Sequence, residues 1–463
     1  MKGMTLKEIA RTCGGILHNC DENLENRQVS SVTTDSRTVE KDALFVAIPG
    51  ARVDGHSFLP QVMEQGALAA LTERELPEWK LPYIQTESSL QAVKDLAEFY
   101  LQQLGIPVVG ITGSVGKTST KEVIASILSQ RYRTRKTEGN FNNELGLPLT
   151  VFRLREEDEI AVLEMGISDF GEMHRLAKIA RPDTAVLTNI GWCHLENLKD
   201  RDGILRAKTE IFDFLRPDGH IVLNGDDDKL ASVGEVRGIR PIRFGWNENN
   251  TYYADHVEPL GFRGIRCMLH TPEGEISVQI PMPGRHMVLN ALAGAAVGQI
   301  YGLTLEEIRA GIECLEPVAG RFHIIETEQY TVIDDCYNAN PVSMKASLNV
   351  LKDGPGRRVA VLGDMGELGE DERALHAQVG QAAGECGIDA LYCAGPLSQE
   401  MSEAARKANP DMEVLHFADR DALMAKLPEL LRQGDTILVK ASHFMEYGKI
   451  VKWLAYTGTS ESK

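Results

Sequence analysis

A seven-residue segment combines glycine, lysine and hydroxyl side chains in the order typical of a phosphate-binding loop. It consists of Thr112, Gly113, Ser114, Val115, Gly116, Lys117 and Thr118. The glycines let the backbone approach a phosphate, Lys117 can reach the β- and γ-phosphates, and the Thr118 hydroxyl can ligate Mg²⁺. Ile111 stands where the general motif has its first glycine, so a tight turn with a surface lysine is the alternative.

Two further polar residues follow predicted strands of the same region. Glu164 follows the apolar run 160–163, and His194 comes soon after the run 184–187. Ligands of open α/β sheets bind outside the carboxyl ends of the strands, so we expect both side chains to face the phosphate loop. A carboxylate there suits Mg²⁺ coordination. Taken alone, each residue is better explained as a turn cap or an ordinary loop histidine.

Lys208 occupies an unusual position in the helix predicted from Asp202 to Leu215. The apolar stripe of this helix consists of Ile204, Leu205, Ile211 and Phe212, and Lys208 lies three or four residues from each. Its side chain can extend to the helix edge, which is the ordinary solution, or it can be modified or paired so that burial is tolerated. Lys208 is therefore a candidate for function.

A cluster of acids and amides follows the strand predicted at 331–333. Residues 334–341 read Asp-Asp-Cys-Tyr-Asn-Ala-Asn-Pro, which suits a nucleotide or metal site at a strand end. Asn-Pro also initiates turns, so a purely structural segment is the alternative. Residues 316–463 contain no G-x-G-x-x-G pattern, and a dinucleotide cofactor is not expected.

The elements that carry these residues predict an α/β protein of three domains, as the length of 463 residues allows. We expect a small α/β domain at 1–104, a central doubly wound domain of the P-loop ATPase type at 105–315, and a Rossmann-like α/β domain at 316–463.

Local patterns add detail to this division. Residues 90–104 predict an amphipathic helix whose capping box is formed by Ser88 and Gln91. Residues 251–280 alternate like antiparallel strands that leave the main sheet. The polar segments 34–37 and 50–58 are predicted as turns rather than sites.

Composition limits the classes of partner. The net charge of -18 argues against nucleic acid or an anionic membrane surface, so local positive groups must hold any polyanionic substrate. The eight cysteines show neither metal-ligand spacing nor a disulfide framework, and they are expected to be reduced thiols. Without a signal peptide or an apolar run of about 18 residues, the expected compartment is the cytoplasm.

In this order the motifs resemble those of the Mur ligases, the ATP-dependent amide-forming enzymes of peptidoglycan precursor synthesis, over nearly the whole chain. The phosphate loop of that family also lacks the first glycine. Residues 139–148, 163–166 and 188–194 are similar to its conserved loop, its metal-ligand glutamate segment and its central histidine segment. The resemblance implies that the first domain binds a UDP-linked substrate, the second binds ATP, and the third closes over ATP and binds the amine.

The resemblance also implies roles for individual residues. It makes Lys208 a carbamylated lysine that holds Mg²⁺ together with Thr118, Glu164 and His194. The implied catalytic residues are Lys117, Lys208, His194 and Arg321. The implied ATP contacts outside the phosphate loop are Asn290, Arg321, Asp335 and Asn338. The implied substrate contacts are Asp35, Ser36, Arg37, Asn142, Lys440 and Ser442.

Within the family, residues 334–341, 361–369 and 45–58 are most similar to the member that joins D-alanyl-D-alanine to UDP-N-acetylmuramoyl-tripeptide. The Asp-Asn-Pro-Arg signature of the enzymes that add the third residue is missing. The resemblance thus implies an ATP-dependent, monomeric ligase that acts through an acyl phosphate. A third-residue-adding or folylpolyglutamate synthase-like relative is the alternative of the same class, and a P-loop switch protein is the alternative of another class.

Overall fold

The structure is a computed structural model that describes residues 3–50 and 53–457. Three α/β units follow one another along these residues, each built on its own sheet, which confirms the predicted fold class. The predicted domain boundaries, after residues 104 and 315, fall between the sheets and stay a prediction. The turn predicted at 50–58 includes Ala51 and Arg52, which lie outside the described residues.

The first unit is a small mixed sheet with helices. Its strands are β1 (Ile16–His18), β2 (Val32–Thr33), β3 (Leu44–Val46), β4 (Ala69–Thr72) and β5 (Tyr83–Gln85). Its helices are α1 (Leu6–Thr12), α2 (Glu22–Glu25), α3 (Leu59–Glu64) and α4 (Ser89–Leu104), with a 3-10 helix at Gly55–Phe58. The sheet order is β1-β5-β4-β3-β2, in which β1 pairs antiparallel with β5 and the other pairs are parallel.

The second unit contains the largest sheet. Its strands are β6 (Val108–Thr112), β7 (Thr134–Lys136), β8 (Ile160–Glu164), β9 (Thr184–Leu187), β10 (His220–Asn224), β11 (Ile242–Gly245), β12 (Tyr252–Pro259), β13 (Ile265–Thr271) and β14 (Gly274–Ile280). Its helices are α5 (Lys117–Leu128), α6 (Gly146–Val151), α7 (Glu172–Ala180), α8 (Leu195–Leu198), α9 (Arg201–Thr209), α10 (Asp228–Ala231), α11 (His286–Ile300) and α12 (Leu305–Glu313).

The order of this sheet, β14-β13-β12-β11-β10-β9-β6-β8-β7, places β6 between β8 and β9. Both neighbours run parallel to β6, with Ile111 beside Glu164 and Thr112 beside Leu187. All five residues of β6 are buried, as expected for a central parallel strand. The carboxyl ends of β6, β8 and β9 therefore meet at one edge of the sheet.

The third unit is a mostly parallel sheet. Its strands are β15 (His323–Glu326), β16 (Thr331–Asp334), β17 (Arg358–Gly363), β18 (Ala390–Ala394), β19 (Glu413–Phe417) and β20 (Thr436–Lys440). Its helices are α13 (Pro341–Leu351), α14 (Glu372–Glu385), α15 (Ser398–Ala408), α16 (Arg420–Leu430) and α17 (Gly448–Thr457). The order β15-β16-β20-β17-β18-β19 brings the ends of β16, β20 and β17 together.

Three local predictions need correction. Ser88 caps α4, but the Gln91 amide donates to Asp95 at 2.8 Å instead of completing a capping box. The helix predicted to Leu215 ends at Thr209 and continues as a 3-10 turn, Glu210–Phe212. Strands β12 to β14 do not leave the main sheet, because β12 pairs in parallel with β11 and so extends it.

Helix α4 joins the first unit to the second. Its Tyr100 side chain is fully buried and donates a hydrogen bond to the Leu154 carbonyl at 2.7 Å. Its Lys94 ammonium lies 2.5 Å from the Glu144 carboxylate, which also accepts from Arg175 of α7. A helix tied by both apolar packing and a shared carboxylate fixes the first unit against the central sheet.

Among residues 3–50 and 53–457, none of the helices has the length and apolar character needed to cross a bilayer.

Helix α12 packs closely on α5, the helix that follows the phosphate loop, and a substitution can test this packing. A Cβ at Gly311 would lie 2.8 Å from the Ile127 nitrogen and closer still to its Cα. Gly311→Ala should therefore lower the free energy of unfolding by about 2 kcal/mol in urea titrations. Gly234→Ala is the control, since a Cβ there meets nothing within 4 Å. Equal stability of the two variants would contradict this packing.

Candidate active site

The phosphate loop connects the end of β6 to the start of α5. Gly113 and Gly116 have φ values of 150° and 83°, which favour glycine. A Cβ at Gly113 would also overlap the Thr188 hydroxyl. Helix α5 begins at Lys117 without a side-chain cap, so the N–H groups of its first turn remain available to an anion.

The loop that follows β9 braces the phosphate loop. Asn189 accepts the Ser114 N–H on its carbonyl and the Val115 N–H on its side chain, both at 3.0 Å. The Thr188 hydroxyl donates to the Val115 carbonyl at 2.6 Å, and the Gly191 N–H donates to the Ser114 hydroxyl at 2.9 Å. These bonds preorganise the backbone before any ligand arrives.

Glu164 is the last residue of β8 and is buried beside the phosphate loop. Its Oε1 accepts from the Asn142 amide at 2.8 Å. Its Oε2 lies 3.8 Å from the Lys121 ammonium, which is within ion-pair range but too far for a hydrogen bond. Among the described residues Oε2 has no hydrogen-bond partner. A buried carboxylate oxygen without a donor is suited to a cation.

His194 is the residue just before α8 and has a left-handed conformation, with φ of 51°. Its Nδ1 lies 2.7 Å from Oε2 of Glu367, which belongs to the third unit. Nδ1 nevertheless has no hydrogen bond within the described part of the chain, so the contact is short but poorly aligned. The pKa of Glu367 is lowered, chiefly by its contact with His194.

Lys208 is buried as predicted, with 1% of its surface exposed. None of the described residues forms a hydrogen bond or an ion pair with its ammonium group, which is close enough to Lys117 for repulsion. Burial, assisted by that repulsion, lowers the pKa of Lys208 to about 8. A substantial neutral fraction is unusual for a lysine and permits reaction with an electrophile.

The third unit contributes an ion pair and an arginine. The buried Lys440 ammonium lies 2.6 Å from Oδ2 of Asp335 and also donates to the carbonyls of Asp335 and Asn338. The Arg321 guanidinium lies over the Tyr337 ring, 3.9 Å from its centroid. Lys440 thus uses its three donors within the chain, whereas Arg321 keeps its planar group beside the site.

These groups converge on one cavity of about 970 Å³ that all three units line. Ile48 and Leu90 come from the first unit. The predicted site residues on its wall are Ser114, Val115, Gly116, Lys117, Thr118, Asn142, Glu164, His194, Asn290, Arg321, Asp335, Asn338 and Lys440. A cavity of this size holds a nucleotide-sized ligand.

Other predicted site residues lie outside the cavity wall. Thr112, Gly113, Lys208 and Ser442 lie behind it, and Asp35, Ser36 and Arg37 lie in the first unit. The Ser442 hydroxyl accepts the Gly366 N–H at 2.8 Å, so it organises the loop after β17. Arg37 forms a bidentate pair with Asp35 and lowers the pKa of that carboxyl to about 2.

The residues present fit a Mg²⁺ ion. Thr118, Glu164 and His194 line the same cavity, and Glu164 offers an oxygen that accepts no hydrogen bond from the described residues. No cluster of three or more His, Cys, Asp or Glu side chains that could hold a metal occurs in the described residues. Mg²⁺ commonly uses one or two carboxylates and completes its shell with water and phosphate oxygens, so a sparse set suits it.

Several residues of the site were not predicted from the sequence. Asn189 lies inside the histidine segment and Glu367 inside residues 361–369, but neither received a role. Lys121 follows Lys117 by one helical turn and is buried, which its place among the apolar residues of α5 could have signalled. The partners of these residues are distant in sequence, so their contacts required the fold.

Three family models match the chain. The model for the Mur ligase family catalytic domain matches residues 28–109, that for the Mur ligase middle domain matches 111–298, and that for the Mur ligase glutamate ligase domain matches 320–443. Together with the relatives below, they establish that the chain belongs to the Mur ligase family.

Individual members of the family match nearly the whole chain, and their names specify one kind of ligase. UDP-N-acetylmuramoyl-tripeptide–D-alanyl-D-alanine ligase of Bacillus subtilis is 38% identical over 97% of both chains. A crystal structure of MurF from Acinetobacter baumannii has a TM-score of 0.90 and 32% identity, covering 98% of this chain and 99% of the other. The MurF ligase of Thermotoga maritima in complex with ADP has a TM-score of 0.81 and 29% identity, covering 92% and 97%.

The buried charge of Lys208 predicts a pH-dependent stability. Below pH 8 the folded protein must keep a buried ammonium group, and between pH 8 and 10.5 the unfolded chain retains a proton that the folded one has lost. The free energy of unfolding should therefore rise with pH through this window. At pH 7 in bicarbonate-free buffer, Lys208→Met should be more stable than the wild type by about 3 kcal/mol, as measured by urea unfolding.

The advantage of Lys208→Met should shrink as the pH approaches 10.5. The exposed Lys407→Met variant is the control and should change stability by less than about 0.5 kcal/mol at either pH. A Lys208→Met protein that is less stable than the wild type at pH 7 would show that the ammonium is compensated.

Proposed function

We propose that this chain is the ligase that joins D-alanyl-D-alanine to UDP-N-acetylmuramoyl-tripeptide at the expense of ATP. The proposal rests on one shared cavity that the phosphate loop, Glu164 and Arg321 all line, and on the Glu164 oxygen to which no described residue donates a hydrogen bond. The B. subtilis relative, which bears the name of this activity, supports the choice of substrates, and the ADP-bound T. maritima neighbour supports the nucleotide.

The reaction has two steps because a carboxylate does not acylate an amine directly. The C-terminal carboxylate of the tripeptide attacks the γ-phosphorus of ATP, the bond to the β-phosphate oxygen breaks, and an acyl phosphate and ADP result. The amine of D-alanyl-D-alanine then attacks the acyl carbon, loses a proton and expels inorganic phosphate. The site must therefore neutralise phosphate oxygens and align two nucleophiles in succession.

The chain supplies most of this neutralisation. The start of α5 and Lys117 bind the β- and γ-phosphates, and Arg321 approaches the transferred group from the third unit. Thr118, Glu164 and His194 would hold Mg²⁺, which supplies positive charge to the phosphate oxygens when bound. Asn290, Asp335 and Asn338 form the nucleoside side of the site.

Lys208 acts as a carbamate in this proposal. Its neutral amine adds to CO₂ and loses a proton, so a buried cation becomes a carboxylate. The lowered pKa of Lys208 supports this reaction, because the neutral amine is the reactive form. The new negative charge would relieve the repulsion from Lys117 and add a metal ligand.

The three domains, 1–104, 105–315 and 316–463, bind different parts of the substrates. Asp35, Ser36 and Arg37 take the UDP end, and Asn142 lies near the tripeptide. Lys440 and Ser442 serve the dipeptide by shaping the loops around it, since their polar atoms are already bonded within the chain. The protein acts as a monomer.

The activity is tested by ADP release from ATP and Mg²⁺. Release should require both UDP-N-acetylmuramoyl-tripeptide and D-alanyl-D-alanine, and the product should gain the mass of the dipeptide less one water. Lys117→Ala should lower the rate at least about 100-fold, because phosphate charge loses its main counter-ion. Lys407→Ala should be unaffected. ADP release without an amine acceptor would favour a P-loop switch instead.

The carbamate has its own test. With ¹³C-bicarbonate, the wild type should show a carbamate carbon signal in NMR spectra that Lys208→Ala lacks. The variant should also lose ligase activity, and added bicarbonate should not restore it. An unchanged signal, or activity that survives the substitution, would refute the carbamate.

A further inference from the structure

Glu367 is a polar residue that the proposed reaction has not used. It lies in the loop between β17 and α14, inside the segment 361–369. From the third unit its carboxylate reaches the second unit, where Oε2 lies 2.7 Å from Nδ1 of His194. The contact therefore crosses a boundary between two sheets at the wall of the active-site cavity.

The two segments that carry His194 and Glu367 pack closely against each other. His194 and Glu367 both have positive φ, 51° and 61°, which non-glycine residues adopt infrequently. Leu195 and Leu368, which follow them, are buried. A Cβ at Gly369 would lie 3.7 Å from the Leu195 Cβ, so the backbones are also close. Such conformations persist where the surrounding structure determines them.

Stability alone does not explain the pair. The Glu367 side chain is 60% exposed, and ion pairs in such surroundings contribute little to folding. The neighbouring Glu370 is exposed as well and forms no ion pair with the described residues. The loop therefore has a second acid of the same charge that forms no such contact with a cation or a histidine among the described residues.

A carboxylate at Nδ1 has a chemical consequence for His194. It favours the tautomer with the proton on Nδ1, which leaves the lone pair of Nε2 free to bind a cation. None of the described residues hydrogen-bonds Nε2, and the ring lines the cavity. The present contact is short but misaligned, and such bonds often tighten when ligands bind.

We propose that Glu367 is a positioning residue that orients His194 toward the metal and phosphates, so that docking of the third unit completes the metal site. The inference rests on the proposed function. It adds that the cation-binding strength of the central unit depends on a carboxylate from its neighbour.

The test measures Mn²⁺ binding to the ADP-loaded protein by electron paramagnetic resonance. Glu367→Ala should weaken Mn²⁺ binding about tenfold, as expected for loss of the carboxylate behind a ligating histidine. Glu367→Gln, which keeps an oxygen acceptor, should stay within about threefold of the wild type. Glu370→Ala is the matched control and should bind Mn²⁺ like the wild type. Unchanged binding by Glu367→Ala would overturn the proposal.

A double-mutant cycle tests whether Glu367 acts through His194. In a His194→Ala background, Glu367→Ala should cause no further loss of Mn²⁺ affinity or of kcat. If the Glu367 carboxylate instead bound the amine substrate, Glu367→Ala would raise KM for D-alanyl-D-alanine. The increase would be equal in the wild-type and His194→Ala backgrounds. That result would overturn the positioning role.

Mn²⁺ binding with ADP requires no turnover, so the two proposals fail separately. Absence of ADP release with both substrates would refute the ligase reaction. Equal Mn²⁺ affinities of the wild type and Glu367→Ala would refute only the role of Glu367.

Discussion

The hydrogen-bonded position of β6 between β8 and β9 determines where the active-site groups lie. Because the three strands are parallel neighbours, the phosphate loop, Glu164 and the loop that carries His194 emerge at the same edge of the sheet. The bonds from Asn189 and Thr188 then fix the phosphate loop itself. The strand order thus sets the positions of the central groups of the site, and the other two units supply the rest of its wall.

The distribution of cations explains how an acidic protein can bind polyanions. The chain carries a net charge of -18, yet Lys117 and Arg321 face the cavity and Lys208 lies behind its wall. Their electrostatic surroundings differ. Arg321 lies on an aromatic ring, and Lys208 has no counter-charge among its described contacts. Lys440, which also lines the cavity, is in contrast neutralised by Asp335. Phosphate charge is therefore met by cations that are not already paired.

Periodicity and strand-end logic predicted the parts of the fold that are buried and local. The fully buried strands β8 and β9 were predicted nearly to the residue, and the stripe around Lys208 predicted its burial. Strands β7, β15 and β19 were missed because they are edge strands whose residues are mostly half-buried, so their apolar pattern is weak. Contacts such as Glu367 with His194 join distant segments, and no local pattern predicts them.

In the proposed reaction, a phosphoryl group passes to the substrate carboxylate before the amide bond forms. The most direct measurement uses tripeptide substrate labelled with ¹⁸O in its C-terminal carboxylate and mass analysis of the phosphate released. Each inorganic phosphate should carry one ¹⁸O, because the bridging carboxylate oxygen of the acyl phosphate leaves with the phosphate when the amine attacks. Phosphate without ¹⁸O, formed together with the amide product, would contradict phosphoryl transfer to the carboxylate.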